Sequence, residues 1–184
     1  MAWWPPRRPA TTEVVASTER LVIRTFRDDD LPAVHAIYSE SRVWRYMGIG
    51  PTTTPEESRE RLDRMLGYQR DHGFTFWAVT DADTGELLGD CGLIPLEGVG
   101  PEVEIGYRFA SAHWGRGYAT EAATACRDLG FGRFGLDRIY VDVHPRNEAS
   151  RNVARKLGAR LLGPAKHRGF DVVRFVIDRP DASQ

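Results

Sequence analysis

Residues 102–122 read EVEIGYRFASAHWGRGYATEA. In 102–110 apolar residues alternate with others, which predicts a strand. From about residue 120 an alanine-rich run predicts a helix to about 130. Between them Gly115 and Gly117 flank a bare Arg116. Strand, glycine loop and helix form a recurrent anion site. A helix N-terminus leaves backbone N–H groups unpaired and carries partial positive charge. Glycines remove the Cβ atoms that would obstruct close approach and permit unusual φ/ψ. A phosphate can therefore sit on the amides of residues 115–120. The same glycines also suit a tight turn that needs them only for geometry, and the loop alone leaves both readings open.

Two standard phosphate motifs are excluded. A Walker A loop needs GxxxxGK[ST], and the stretch Gly115 to Thr120 lacks the second glycine and the lysine. A dinucleotide fingerprint needs a third glycine where Thr120 stands. It also belongs to the first strand of a repeated βαβ unit, whereas this loop follows an antiparallel meander.

Working outward, 19–26 (ERLVIRTF) alternates as a strand, and Asp28-Asp29-Asp30 supplies an N-cap and negative charge to a helix carrying Leu31, Val34, Ile37 and Tyr38. Thr54-Pro55-Glu56-Glu57 is a capping box for a helix that buries Leu62, Met65 and Leu66 and ends near Gly67 or Gly73. A hairpin over 74–80 and 86–96 turns at Asp83-Thr84-Gly85. Residues 138–144 (RIYVDVH) form a buried-type strand. Asn147 caps a helix with Ala149, Val153 and Leu157 inside and Gly158 as its stop, and 170–178 is a last strand. The order is β-α-α-β-β-β-α-β-α-β. Residues 42–54 show no regular pattern; Trp44, Tyr46 and Met47 there either wall a site or belong to the core.

The chain has 184 residues and a formal net charge of -1, enough for one domain and no pull toward nucleic acid or membrane. No apolar stretch approaches a membrane span and the start has no signal-peptide core, so a cytoplasmic globular protein is expected. Cys91 and Cys126 fit no metal spacing and read as buried thiols in a reducing compartment. His35, His72, His113, His144 and His167 show no metal spacing either, so no metal is expected. Residues 1–17, rich in Pro and Thr with Trp3 and Trp4, read as a loose tail before a single domain over 18–179.

VEIGYRF (103–109), HWGRGYATEA (113–122) and LDRIYVDVHPRNEASRNVARKLGA (136–159) together resemble the GCN5-related N-acetyltransferase (GNAT) superfamily. They are most similar to its branch of ribosomal-protein N-terminal acetyltransferases of the RimJ and RimL type, which TERLVIRTF (18–26) also fits. The resemblance covers roughly residues 18–178. It implies an α/β GNAT fold in one domain. The sheet would be twisted, mixed and mainly antiparallel, with flanking helices. The strands over 102–110 and 138–144 would be a splayed central parallel pair joined by a right-handed crossover.

The family loop motif [QR]xxGx[GA] falls on Trp114 to Ala119, where Gly117 and Ala119 match and Trp114 stands in for Gln or Arg. The resemblance implies that Trp114, Gly115, Arg116, Gly117, Tyr118, Ala119 and Thr120 hold the pyrophosphate of acetyl-coenzyme A. It implies that the backbone of Tyr107, Arg108 and Phe109 pairs with the pantetheine arm as an added strand would. Asn147 would bind the pantetheine or thioester region and Ser150 would donate to the departing thiolate. Local readings stand beside these: Asn147 as a helix cap, Ser150 with its hydroxyl on nearby backbone. Many members carry a tyrosine acid four residues before the helix-ending glycine. Here that position is Ala154, which puts weight on Ser150. The chain also has LGA at 157–159 where LGF is usual.

Acetyl transfer to an amine needs a base, an oxyanion donor and a route for the thiolate, but no protein nucleophile. Glu104, with Glu102 as its alternation partner, is the expected base, acting through water. The other reading is a solvent-facing edge strand with two solvated charges. Arg151 and Arg155 share a helix face that either meets the cofactor's 3′-phosphate or is solvated. The expected acceptor is a protein or peptide N-terminal amine. The alternatives are a small amine such as an antibiotic or polyamine, or an acyl-coenzyme A sensor without turnover. The oligomeric state stays open between monomer and homodimer.

Overall fold

The structure is a computed structural model and describes residues 13–180. One eight-stranded sheet runs in the order β1-β2-β3-β4-β5-β6-β8-β7. Its strands are β1 (Val14–Ser17), β2 (Leu21–Arg24), β3 (Phe76–Asp81), β4 (Leu87–Pro95), β5 (Val103–Phe109), β6 (Arg138–Val143), β7 (Arg160–His167) and β8 (Phe170–Asp178). The helices are α1 (Leu31–Tyr38), α2 (Ser41–Trp44), α3 (Pro55–His72), α4 (Tyr118–Gly132) and α5 (Glu148–Lys156). Every neighbouring pair is antiparallel except β5 and β6, which run parallel. Among the described residues no helix is long and apolar enough to cross a membrane.

The sheet separates two apolar layers, and strand alternation decides which residue enters which. On β3, Trp77 and Val79 join the larger core with Ala122, Ala123 and Cys126 of α4. Ala78, between them, joins the smaller core of Val34, Ile37, Tyr38, Trp44, Leu62 and Met65. Cys91 and Cys126 are free and fully buried; burial, then the neighbouring Cys126, raise the Cys91 thiol well above its ordinary value. Helix α3 starts as its sequence predicts. Thr54 accepts from the Glu57 amide at 3.2 Å, Pro55 opens the first turn, and Gly73 closes the helix at φ +75°.

Several expectations need correction. Val14–Ser17, inside the supposed tail, is a strand registered on β2, and Val15 and Ala16 pack on the larger core. The ladder offered by β2 orders a segment that its own composition does not. Trp3 and Trp4 lie outside the described residues. Strand β7 was not expected, because Gly163 and Pro164 interrupt its alternation and its pairing slips between Leu161 and Gly163. Asp28–Asp30 forms a single 3-10 turn before α1 and gives no side-chain cap to α1. Asp30 instead turns inward to a bidentate pair with Arg24 at 2.7 and 2.8 Å, which satisfies a buried carboxylate better than solvent-side capping would. In α5, Ala149 is exposed and Ala154 takes the buried place, so the inner face is Val153, Ala154 and Leu157.

Candidate active site

The glycine loop leaves β5 through a short turn at Ser111–His113. The Trp114 indole N–H donates to the Phe109 carbonyl at 2.8 Å, folding the half-exposed ring back over the strand end. Gly115 and Gly117 both adopt left-handed φ, +77° and +85°, where a side chain would be strained. A Cβ at Gly115 would meet nothing within 4 Å, so the loop is open outward. Gly117 is the N-cap of α4 and, having no side chain, gives the first turn no side-chain cap. The amides of Tyr118, Ala119 and Thr120 thus begin a 15-residue helix whose N-terminus favours an anion.

Arg20, absent from the sequence expectations, braces this loop from behind. Its Nη1 donates to the Arg116 carbonyl at 3.1 Å, and its guanidinium lies 4.7 Å from the Tyr118 ring centroid. It also grips Glu121 at 2.8 and 2.5 Å, while Thr18 donates to the same carboxylate at 2.6 Å. A carboxylate in the first turn of α4 would repel an anion; Arg20 offsets it. His113 is only half-buried, with Nε2 3.5 Å from Glu86.

Beyond the loop, β5 and β6 share a single registered pair, Glu104 with Tyr140. On its other side β5 stays in continuous register with β4 from Val103 to Phe109. The backbone of Tyr107, Arg108 and Phe109 therefore faces an opening between diverging strands. The Arg108 side chain does not enter it. It turns to the opposite layer, where Asp90 accepts from Nε at 2.9 Å and the Tyr38, Trp44 and Phe76 rings surround it. Only its backbone is left for a ligand. Burial opposes its charge, but Asp90 and Tyr38 outweigh that and hold its pKa above the usual range.

Across the opening stands the start of α5. Asn147 Oδ1 accepts from the Ser150 amide at 3.1 Å, the local capping role. The Ser150 hydroxyl is not on local backbone. It shares a 2.8 Å hydrogen bond with the Tyr107 hydroxyl, which also donates to the Ser150 carbonyl at 3.2 Å. Burial first raises the Tyr107 phenol and keeps it protonated, with the Ser150 bond acting the other way. A phenol thus reaches the start of α5 from strand β5, while Ala154 on the helix is fully buried. Arg155 and Arg151 both lean on Glu148, at 2.8 and 3.4 Å.

Glu104 is not on a solvated edge. It sits on a central strand, 8% exposed, while Glu102 lies before the strand and is exposed. Its carboxylate is 3.5 Å from His167 Nδ1, and that nitrogen is 3.1 Å from Asp142. Arg174 donates to both Asp142 oxygens at 2.7 and 2.6 Å. Burial pushes the Glu104 carboxyl up to about 7 against the pull of His167, with Asp142 adding to the rise and Arg168 and Arg174 opposing it. The hydrogen bond to Asp142 raises His167, burial opposes, and Glu104 adds to the rise. Burial works against the Asp142 charge, yet Arg174 and His167 hold its carboxyl below the ordinary range. One ligand atom from each of Glu104, Asp142 and His167 lies within 4.8 Å of the others, a proximity no sequence spacing announced. Arg174 and His167 both pair with Asp142, and the group is a paired ion network.

The 42–54 segment divides. Trp44 is buried in the smaller core, whereas Met47 is 40% exposed and the Tyr46 ring lies tilted against His144 with centroids 5.0 Å apart. A Cβ at Gly48 would fall 2.7 Å from the Phe170 ring, so this loop closes on the start of β8.

A GNAT acetyltransferase domain model matches residues 20–160. The Bacillus subtilis (strain 168) protein YkkB is 34% identical over 81% of this chain and 86% of its own length. The spermidine N(1)-acetyltransferase of Escherichia coli (strain K12) is 28% identical over 84% of this chain and 80% of its own. The solved RimL ribosomal L7/L12 alpha-N-protein acetyltransferase has the same fold, with a TM-score of 0.76 at 19% identity, covering 95% of this chain and 99% of that one. The chain belongs to the GNAT family, has its fold and is an acyltransferase.

Proposed function

We propose that this enzyme transfers an acetyl group from acetyl-coenzyme A to the α-amine of a peptide or protein N-terminus. The observation that carries the reading is the splay of β5 from β6 past Glu104, with an open anion loop at one end and a buried carboxyl of pKa about 7 at the other. The pyrophosphate rests on the amides of Gly115 to Thr120, with Trp114 and Arg116 beside it. The pantetheine arm pairs with the backbone of Tyr107 to Phe109 and passes Asn147. Acetyl-coenzyme A supplies the thioester. Glu104 takes the amine proton, and the Ser150 hydroxyl, accepting from the Tyr107 hydroxyl, donates to the leaving thiolate.

The base supports an α-amine. An α-amino group has a pKa of about 7.7–8.0 and a primary alkylamine about 10.4. A carboxylate near 7 takes a proton from the first at far smaller cost. The charge lining agrees, because Glu104 and Asp142 at the opening each already face a basic partner, His167 and Arg174. The likeness to a spermidine acetyltransferase supports the second reading, a small polyamine acceptor. An acceptor screen with acetyl-coenzyme A decides, reading coenzyme A thiol release for peptides of varied N-terminal residue against spermidine. Peptide turnover with a kcat/KM well above that of spermidine is expected. Saturating turnover of spermidine alone would transfer the function to polyamines, and cofactor binding without thiol release would leave a sensor.

A further inference from the structure

We propose that His167, clamped between Asp142 and Glu104, is a positioning residue that keeps Glu104 ionised and so sets the pH at which the enzyme works. This rests on the reading of Glu104 as the base. The reach is what draws attention to His167. It is the last residue of β7, and β6 and β8 lie between β7 and β5 in the sheet. With strands about 4.8 Å apart, β7 and β5 would stand roughly 14 Å apart in a flat sheet. Yet His167 Nδ1 is 3.5 Å from the Glu104 carboxylate. The end of the β7–β8 hairpin must curl across the sheet to place it there.

The anchor is Asp142 on β6. Arg174 on β8 holds both of its oxygens, and His167 donates to it at 3.1 Å. Every element around the ring contributes charge. Glu104 faces it from β5, Asp142 from β6 and Arg174 from β8. Arg168 acts from the hairpin turn, and Glu97 from the 96–98 turn acts on Arg174. Asp142 is neutralised by Arg174, so the imidazolium is the cation in contact with Glu104, with Arg168 adding a weaker pull. An opposite charge at this range favours the ionised carboxyl, while burial favours the neutral one. Without the imidazolium the nearest counter-charge to burial is gone, the Glu104 midpoint rises further, and less carboxylate stands ready at neutral pH to accept a proton from the amine.

His167→Asn separates the tether from the charge. The asparagine amide can still donate to Asp142, but the cation is gone. The acidic limb of the kcat/KM profile should move up by about one pH unit or more, with the plateau above it kept. A tether alone would lower kcat by the same factor at every pH. An independent readout uses the protein without acetyl-coenzyme A or acceptor. Carbon-13 NMR of labelled glutamate carboxyls, with Glu104 identified through Glu104→Gln, should show its midpoint raised in His167→Asn. If that variant does not fold, the Glu104 carboxyl and His167 ring signals of the unaltered protein must each register the other's titration. An unmoved Glu104 midpoint, or independent titrations, overturns the inference. Glu104→Gln that keeps the acidic limb instead removes the base reading, and the NMR midpoint then judges the His167–Glu104 coupling alone.

Discussion

Replacing Glu104 by glutamine should make this protein more stable at alkaline pH while it loses activity. The carboxyl is 8% exposed and its pKa rises from 4.5 to about 7 on folding, chiefly through burial. Between those values the native state binds more protons at this site than the unfolded state. Stability contributed here is present below the unfolded pKa and is lost as pH rises through the native one. Each pKa unit is about 1.4 kcal/mol, so full ionisation costs the fold about 3 kcal/mol. Glutamine keeps the shape and cannot ionise. The variant should therefore exceed the parent by about 3 kcal/mol at pH 8 but by less than about 1 kcal/mol at pH 5. Urea denaturation of both proteins at both pH values, without ligand, measures the two gaps, and their difference cancels every titration that the substitution leaves unaltered, reporting Glu104 together with its coupled partner His167. The same variant should keep acetyl-coenzyme A binding and lose about 10²–10⁴-fold in kcat. A gap of equal size at pH 5 and pH 8 would refute the reasoning, because the carboxylate would then carry no penalty for burial.

Gly117→Asp should abolish acetyl-coenzyme A binding in calorimetry: φ of +85° strains any side chain, and a carboxylate enters the anion site. Unchanged affinity would remove the pyrophosphate assignment. Ser150→Ala and Tyr107→Phe should each lower kcat by roughly tenfold with little change in the KM for acetyl-coenzyme A, and the double variant should be no worse than either, since the two hydroxyls act as one bonded pair. Ala154→Tyr should not restore kcat to Ser150→Ala; at a fully buried position it should lower stability by about 1–3 kcal/mol in urea.

Residues 102–122 disclosed strand, loop and helix because each signal there is local. Alternation makes a strand, left-handed φ calls for glycine, and an uncapped first turn exposes amides. The same holds for Thr54 capping α3 and Asn147 capping α5, whose partners lie three residues away. From such pieces the sequence by itself determined the layered architecture and the place of the loop, and its resemblance pointed to the family. It did not disclose β1 or β7, because an edge strand is ordered by its neighbour's ladder more than by its own pattern. Nor did it disclose Arg20 behind the loop, 101 residues from Glu121, or His167 beside Glu104. It placed Glu104 in a strand but could not distinguish a solvated edge from a buried base. That difference is made by desolvation and by charges on β6, the β7–β8 hairpin and β8, and only the tertiary structure decides how far water is excluded and which charges face each other.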